Sequence, residues 1–368
     1  MATLRVTRRQ ALAWRMRRQH LSVPGASGAA GAGDAGEVVR TLAALSVFGS
    51  DPDLAVRRRL AEPRQPGEVQ RALRDGRLLR TFSFRGSVQV MAPETAGSYL
   101  ALRAAGRQWE LASWVEHYRL RAEDWPDLRA AVREVVAGGP VPPQAVADAL
   151  AGSARFGHLA REFAEPNHTF LKPFAWQGDI ALGPELDGPL ALQSPTAAPG
   201  WAGVPPLDEA GRRAVREYVG AYGPAAPEHL HYWLGEGLSA GRRRIDRWWD
   251  ELHGDLAEVD VEGEPRWVLA DQADELAAVP PEPTVLLLPA KDAWVMGPGT
   301  KDTWVVPPEH RAAMTRVANP VVVDGVVRGT WRTDGDVLEV AAPPSAGLTA
   351  DADRLGALLG VGLRLRTP

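Results

Sequence analysis

The stretch PGEVQRALRDGRLLRTFSFRGSVQVMA, residues 66–92, decides the fold prediction. Its first part is typical of a short helix, whereas LLRTFSF and SVQVMA are β-like runs separated by Arg85-Gly86. Two helical segments precede it, one capped by Asp34 and one opened by Asp51-Pro52. Helices followed by a hairpin are the element order of a winged helix-turn-helix domain, so a DNA-binding fold is predicted.

The helix that begins at Asp34 is predicted to run beyond Leu42 to about Ser46. Val38 and Leu42 share one face, and Ser46 falls four residues further along that buried side. Gly49 is the predicted C-terminal stop. The preceding segment PGASGAAGAGDAG, residues 24–36, predicts a flexible loop.

The same element order recurs twice. Residues 142–164 contain two short helical candidates, and FLKPFAWQGDIALGP, residues 170–184, is predicted as two β-rich halves divided at Gln177-Gly178. Residues 226–252 predict two further helices, and DLAEVDVEGEPRWVLA, residues 255–270, predicts a hairpin. Three helix-helix-hairpin units indicate tandem winged-helix domains.

The C-terminal segment differs in pattern. Short strands separated by Asp-Gly turns, then a helix over ADADRLGALLG and a strand over VGLRLR, predict a small antiparallel β element. The predicted class is therefore α+β. The predicted boundaries are residues 1–140, 141–205 and 206–282 for the three winged-helix domains and residues 283–368 for the β element.

Composition narrows the functional classes. With 42 basic and 46 acidic residues the net charge is −4, so a basic DNA-binding surface has to be local. The chain has no cysteine, and its eight histidines show no metal-ligand spacing, so neither a metal site nor a cofactor is expected. No nucleotide-binding loop, membrane-spanning stretch or signal peptide is recognised, which predicts a cytoplasmic protein without a nucleotide cofactor.

Two segments concentrate arginine. Residues 7–21, TRRQALAWRMRRQHL, predict one exposed helix capped by Thr7, and residues 1–20 contain no acidic side chain. The second is GRRRIDRWWDEL, in which pairing of the arginines with Asp246 or Asp250 is the alternative to DNA contact. The predicted DNA-contacting residues are Arg8, Arg9, Arg15, Arg18, Arg85, Arg242, Arg243 and Arg247.

The tryptophan pair and one carboxylate need separate explanations. Trp248 and Trp249 are adjacent on a predicted helix, so one is expected to pack and the other to be partly exposed. Asp292 lies in the apolar, strand-like run LLLPAKDAWVM and has to be solvated, hydrogen-bonded or neutral. A structural and a catalytic role for Asp292 both remain open.

Several segments resemble the AlkZ-like winged-helix DNA glycosylases. They are LRDGRLLRTFSFRGSVQVMAPE, FLKPFAWQGDIALGP, YVGAYGPAAPEHLHYWL, LLLPAKDAWVMGPGTKDTWVVPPEHR and VVVDGVVRGTW, in this order. The resemblance implies tandem winged helices around a concave surface that binds double-stranded DNA, and a monomer. It also implies removal of N7-alkylated or crosslinked purines, in which a Gln-apolar-Gln or Gln-apolar-Asp motif positions water.

The resemblance places that motif on Ser46-Val47-Phe48, where the apolar middle is kept and both glutamines are missing, although Ser46 could still hydrogen-bond a water. The Asp of the family's Phe-Asp run is kept as Asp292, but Lys291 replaces Phe. In the hairpin, Ser87-Val88-Gln89 replaces a Thr-Leu-His run. The candidate catalytic residues are therefore Ser46, Phe48, Gln89 and Asp292, with Gln89 as a possible substitute carboxamide.

Three functions fit this pattern. The leading hypothesis is a DNA-binding relative of the glycosylases with weak or absent excision, in which Phe48 stacks on a base. The alternative is an active glycosylase with a remodelled site for one bulky genotoxin adduct, in repair or self-resistance. A third is a protein that binds the genotoxin itself, which salt would weaken far less than phosphate binding.

Overall fold

The computed structural model describes residues 3–21, 31–62, 64–235 and 239–367. The chain divides into two units. The first unit comprises Met1–Val69, Val215–Trp233 and Asp246–Pro368, and the second unit comprises Gln70–Ala214 and Leu234–Ile245. Most of the flexible loop predicted for residues 24–36 lies outside the described residues.

The described residues form helices along the whole length of the chain. They are α1 (Arg8–Arg18), α2 (Ala35–Leu42), α3 (Pro52–Arg57), α4 (Glu68–Arg74), α5 (Pro93–Ala104), α6 (Ala112–Tyr118), α7 (Trp125–Val136), α8 (Pro143–Ala151), α9 (Ala160–Ala164), α10 (Lys172–Trp176), α11 (Leu207–Tyr222), α12 (Pro227–Gly235), α13 (Arg242–Glu251), α14 (Ala273–Ala278), α15 (Ala293–Met296), α16 (Arg311–Thr315) and α17 (Leu348–Leu359).

The strands of the same residues are short except in the C-terminal part. They are β1 (Leu4–Val6), β2 (Leu45–Ser46), β3 (Leu79–Phe82), β4 (Val88–Met91), β5 (Ala181–Leu182), β6 (Leu192–Gln193), β7 (Leu256–Val261), β8 (Glu264–Leu269), β9 (Val285–Leu287), β10 (Asn319–Val323), β11 (Val326–Asp334), β12 (Val337–Ala341) and β13 (Arg364–Arg366). Helices and strands together confirm the mixed α+β class.

Two sheets belong to the first unit. The hairpin β7–β8 is antiparallel, and β1 adds to β7 in parallel. The second sheet has the order β13-β12-β11-β10-β9 and is antiparallel apart from the β12–β13 pair. Its first tight turn is Asp324-Gly325, with φ of 51° and 83°, as the Asp-Gly signal predicts.

Helix α1 packs into the first unit and is not the exposed helix that the sequence predicts. Thr7 caps it as expected, accepting a hydrogen bond from the Gln10 backbone N–H at 3.1 Å. Trp14 is fully buried in a cluster with Val259 and Val268 of the β7–β8 hairpin. The burial comes from strands some 250 residues away, which local periodicity cannot reveal.

The hairpin β3–β4 lies in the sheet of the second unit. Strands β3 and β4 pair antiparallel from Leu79↔Met91 to Phe82↔Val88. Strand β5 adds to the other edge of β3, and β6 pairs with β5. Beneath them lies a largely aromatic core that includes Trp109, Trp125, Phe163, Phe170, Phe174 and Trp176.

The first half of residues 170–184 is helix α10, so the strand prediction there is wrong. Pro173 stands at the helix start, where its missing N–H costs nothing. Phe174 and Trp176 are buried on this short helix. A short apolar run fits a buried strand and a buried helix equally well, which explains the error.

No helix among residues 3–21, 31–62, 64–235 and 239–367 is long and apolar enough to cross a bilayer.

Candidate functional site

Residues 46–50 form a tight segment of the first unit. Helix α2 begins as predicted, with Asp34 Oδ1 accepting from the Glu37 N–H at 2.8 Å. It ends at Leu42, because Ala43 adopts φ +66°, so the predicted continuation to Ser46 is wrong. Gly49, with φ +64°, turns the chain a few residues after β2.

Ser46 and Phe48 have different surroundings. Ser46 is half-buried, and its carbonyl accepts a hydrogen bond from Ser50 Oγ at 2.5 Å. Phe48 is 75% exposed, which is unusual for a phenylalanine in a folded chain. An exposed ring next to a turn is available to stack on another planar group.

Lys291 holds Phe48 from a distant part of the sequence. Its Nζ lies 4.8 Å from the centroid of the Phe48 ring and donates to the Phe48 carbonyl at 2.7 Å. A Cβ at Gly49 would lie 3.4 Å from the same Nζ. Cation–π contacts at exposed sites contribute about 0.5–1 kcal/mol. Phe48 and Lys291, at which the resemblance implies changed residues, therefore contact each other.

Asp292 is a buried, fully bonded carboxylate at the N-cap of α15, not a strand residue. Its oxygens accept from Arg59 Nη1 at 2.8 Å and Nη2 at 2.6 Å, and from the Trp294 N–H at 2.8 Å. Both side chains of the Arg59–Asp292 pair are completely buried. This placement favours the structural role for Asp292, since it anchors the turn that carries Lys291.

Arg59 is one of three consecutive buried arginines, none of which was predicted from the sequence to have a functional or structural role. Arg57 bonds Asp53 at 2.8 Å, and Arg58 bonds both oxygens of Asp351 at 2.6 and 2.7 Å. Arg59 also donates to the carbonyls of Gln19 and Ala55. The only sequence signal is the run of three arginines inside an otherwise apolar helical stretch. Such arginines need buried acceptors.

Gln89 belongs to the second unit, whereas Ser46 and Phe48 belong to the first. Its side chain is buried on β4, and Nε2 donates to Ser87 Oγ at 2.7 Å. The carboxamide predicted to replace the missing glutamines is thus engaged within its own hairpin.

The N-terminal arginines are largely neutralised by acids from other segments. Arg8 pairs with Glu264 at 3.4 Å, Arg9 with Asp324 at 3.3 Å, and Arg18 with Glu275 at 3.8 Å. The acid-free stretch of sequence is therefore not an unbalanced basic surface in the folded unit. Exposed pairs of this kind contribute little to stability.

Arg15 does not fit the predicted DNA contact, because it is only 1% exposed. Its Nε and Nη2 donate to the carbonyls of Gly223 and Pro224 at 3.2 and 3.0 Å. Burial lowers the pKa of Arg15, an effect that the nearby Asp302 carboxylate opposes. Arg15 is a structural residue of the first unit.

Helix α13 presents its arginines on the outside. Arg242, Arg243 and Arg247 are exposed, and Arg247 pairs with Glu251 at 3.3 Å. Trp248 and Trp249 are both buried, which contradicts the prediction that one of them is partly exposed. Trp249 packs edge-on against Trp267 of β8, with ring centroids 6.0 Å apart.

Arg85 occupies the hairpin turn of the second unit. It is exposed and has φ +54°, followed by Gly86 with φ +71°. The turn therefore projects a cation at the tip of the β3–β4 hairpin, where a wing carries its DNA contacts in a winged helix.

Within the described ranges, no group of three or more histidines and carboxylates could hold a metal ion. His231 Nε2 lies 2.6 Å from Asp246, and burial lowers the pKa of His229. Both histidines of this helix thus have local surroundings that account for them.

Comparisons with known proteins agree across nearly the whole chain. The family model for DNA glycosylase AlkZ-like proteins matches residues 31–360. An interstrand DNA cross-link repair glycosylase from Streptomyces sahachiroi is 33% identical over 346 residues, 91% of this chain and 90% of the relative. The solved structure of Streptomyces sahachiroi DNA glycosylase AlkZ is 30% identical. It superposes with a TM-score of 0.87, covering 99% of this chain and 100% of that one.

Proposed function

This chain belongs to the AlkZ-like DNA glycosylase family, and from that membership we propose that it binds double-stranded DNA but excises bases weakly or not at all by the family mechanism. The proposed ligand is DNA carrying an alkylated or crosslinked purine. We also propose that the protein acts as a monomer in the cytoplasm and needs no metal or nucleotide cofactor.

The proposed architecture is three tandem winged-helix domains, residues 1–140, 141–205 and 206–282, with residues 283–368 as the β element and a concave DNA-binding surface. Support comes from two hairpins that follow helices. Strands β3 and β4 follow α3 and α4, and β7 and β8 follow α12 and α13. On this proposal α13 is the recognition helix of the third domain, and its exposed Arg243 and Arg247 face DNA.

One observation carries the doubt about catalysis. The last position of the Ser46-Val47-Phe48 motif holds an exposed aromatic ring with the Lys291 ammonium 4.8 Å from its centroid. A phenyl ring has no acceptor oxygen and cannot orient a water. Removing a positioned general base or water-orienting group typically costs about 10²-fold or more in rate.

Charge at the motif points the same way. Loss of a purine from its sugar develops positive charge on the sugar, which enzymes stabilise with negative groups or dipole oxygens. The ammonium of Lys291, donating to the Phe48 carbonyl, has the wrong sign for that task. Phe48 suits base stacking instead, which contributes about 1–3 kcal/mol per base.

The test is incubation of the native protein with a duplex that carries one N7-alkylguanine, followed by alkaline cleavage and a sequencing gel. We expect base release at the spontaneous rate, together with binding of the same duplex. Binding without release supports the proposal. Release well above the spontaneous rate refutes the catalytic part.

The competing function is an active glycosylase with a remodelled site for a bulky adduct, in repair or self-resistance. It is favoured by the 33% identity to an interstrand cross-link repair glycosylase over 91% of the chain. Gln89 is the side chain to test in that case. If the native protein unhooks a crosslinked duplex and Gln89→Ala does not, Gln89 is its water-positioning group.

A further inference from the structure

A pair of cations in the second unit has no acidic partner. Arg103 lies at the end of α5, and Lys172 is the first residue of α10. Within the described residues, neither side chain has an ion pair, and Arg103 Nε and Nη1 are buried without hydrogen-bond acceptors. Other arginines of this unit do have acids: Arg129 and Arg133 share Asp179, and Arg155 bonds Asp124.

Aromatic rings hold the two cations in place. The guanidinium of Arg103 lies 4.2 Å from the centroid of the Trp176 ring, and Lys172 Nζ lies 5.9 Å from that of Phe82. Both rings belong to the buried core. The cations therefore sit on a rigid apolar wall and are half-buried themselves.

The two cations converge on one point beside the hairpin turn. A Cβ placed on Gly86 would lie 3.7 Å from Lys172 Nζ and 3.9 Å from Arg103 Nη2. Gly86 has no side chain, so the space between the two charges is open. Both charges can thus reach a single small anion bound there.

The cations of this cluster lie close enough for one charge to affect the next. Burial and then the charge of Arg103 lower the pKa of Lys172. Burial and then the charge of Lys172 lower the pKa of His168, whose Nδ1 is also buried without an acceptor. Like charges this close are unfavourable unless an anion joins them.

We propose that Arg103, Lys172 and the Gly86 turn bind a backbone phosphate of DNA. Arginine and lysine are the side chains that proteins use for phosphate, and a phosphodiester offers two acceptor oxygens to two donors. Arg85, at the same turn, is exposed and supplies a further cation. That the phosphate belongs to DNA rests on the function proposed above. That the site binds a phosphate rests on this geometry alone.

The first test is binding of a labelled undamaged duplex over a range of salt concentrations. Lys172→Gln should weaken binding about three- to tenfold and lower the slope of log K against log salt by about one, since one phosphate contact is lost. Lys172→Arg should restore the slope. Lys301→Gln is the matched control, because it removes the charge of a different lysine, at an exposed position of the first unit. A Lys172→Gln slope equal to that of Lys301→Gln overturns the proposal.

The second test uses the fact that Lys172, Lys291 and Lys301 are the only lysines of the chain. Each can be followed by mass spectrometry during amine acetylation at increasing pH. A bound phosphate favours the ammonium form of Lys172. Duplex DNA, or inorganic phosphate at about 50 mM, should therefore shift the acetylation of Lys172 to higher pH.

These two tests separate failure of the site from failure of the function. If duplex DNA shifts the acetylation of Lys172, the proposal is supported. If the protein binds duplex but only inorganic phosphate shifts the acetylation of Lys172, the anion bound there is not a DNA phosphate. If the native protein binds no duplex, the proposed DNA function fails. In that case a phosphate-induced shift supports the anion site, and unchanged acetylation overturns it.

Discussion

At the scale of single residues, Phe48 and Lys291 behave as one unit. Each replaces a different residue of the family pattern, yet the Lys291 ammonium contacts both the ring and the carbonyl of Phe48. Restoring glutamines at positions 46 and 48 alone would remove the ring that Lys291 covers and leave the cation behind. A test of the proposed loss of catalysis therefore has to change three positions.

We expect the double variant Ser46→Gln/Phe48→Gln to gain little excision of an N7-alkylguanine, and the triple variant with Lys291→Phe to gain more. The reason is that the residual ammonium opposes positive charge on the sugar. Single-turnover base release compares the two variants, with Lys291→Phe alone as the control. Equal rates for the double and triple variants would show that Lys291 has no influence.

Asp292 gives a second prediction at this scale. Asp292→Asn leaves the buried Arg59 guanidinium without its counter-charge, so the free energy of unfolding should fall by about 3–5 kcal/mol. Asp336→Asn is the matched control, because the Asp336–Arg364 pair is exposed and contributes little. Urea unfolding measures both. A loss for Asp292→Asn as small as the control's would contradict the structural role.

At the scale of secondary structure, the sequence predicts an element when its signals are local. Thr7, Asp34 and Asp51 cap the helices that they were predicted to cap. The sequence prediction fails where tertiary contacts determine the secondary structure. Ala43 ends α2 early, and α10 forms in an apolar run that fits a strand equally well.

The candidate site was predictable only in part, for the same reason. The position of Ser46-Val47-Phe48 follows from the resemblance and the order of the helices. Its contact with Lys291, some 240 residues later, depends on how α15 and the loop before it pack in the first unit. Likewise, the unbalanced basic patch predicted at the N-terminus is cancelled by acids such as Glu264 and Asp324, which no local pattern reveals.

Asp124 gives a prediction at the element scale. It lies just before α7 and accepts two hydrogen bonds from Arg155, which hold the pKa of its carboxyl below the ordinary value. A lowered folded-state pKa stabilises the fold above the unfolded value of about 4, and this contribution is lost as pH falls through the lower folded value.

Asp124→Asn should therefore destabilise the protein at neutral pH and flatten its loss of stability between about pH 4 and more acidic values. Asp148→Asn, at an exposed position of α8, is the control. Thermal unfolding followed over this pH range is the measurement. An unchanged pH profile for Asp124→Asn would contradict the prediction.

At the scale of the whole molecule, a net charge of −4 makes any DNA-binding surface a local feature. In the second unit, we assign this role to Arg85 at the hairpin tip and to the Arg103–Lys172 pair. The family scaffold is kept over the chain, and our proposal is that Ser46-Val47-Phe48 no longer positions water.

The most direct test of binding without excision follows DNA binding and base release together, on one duplex with a single N7-alkylguanine and excess native protein. The account predicts that binding saturates while the base is released no faster than in free DNA. Base release that rises with saturation, well above the spontaneous rate, would contradict it and show that the chain has a working active site.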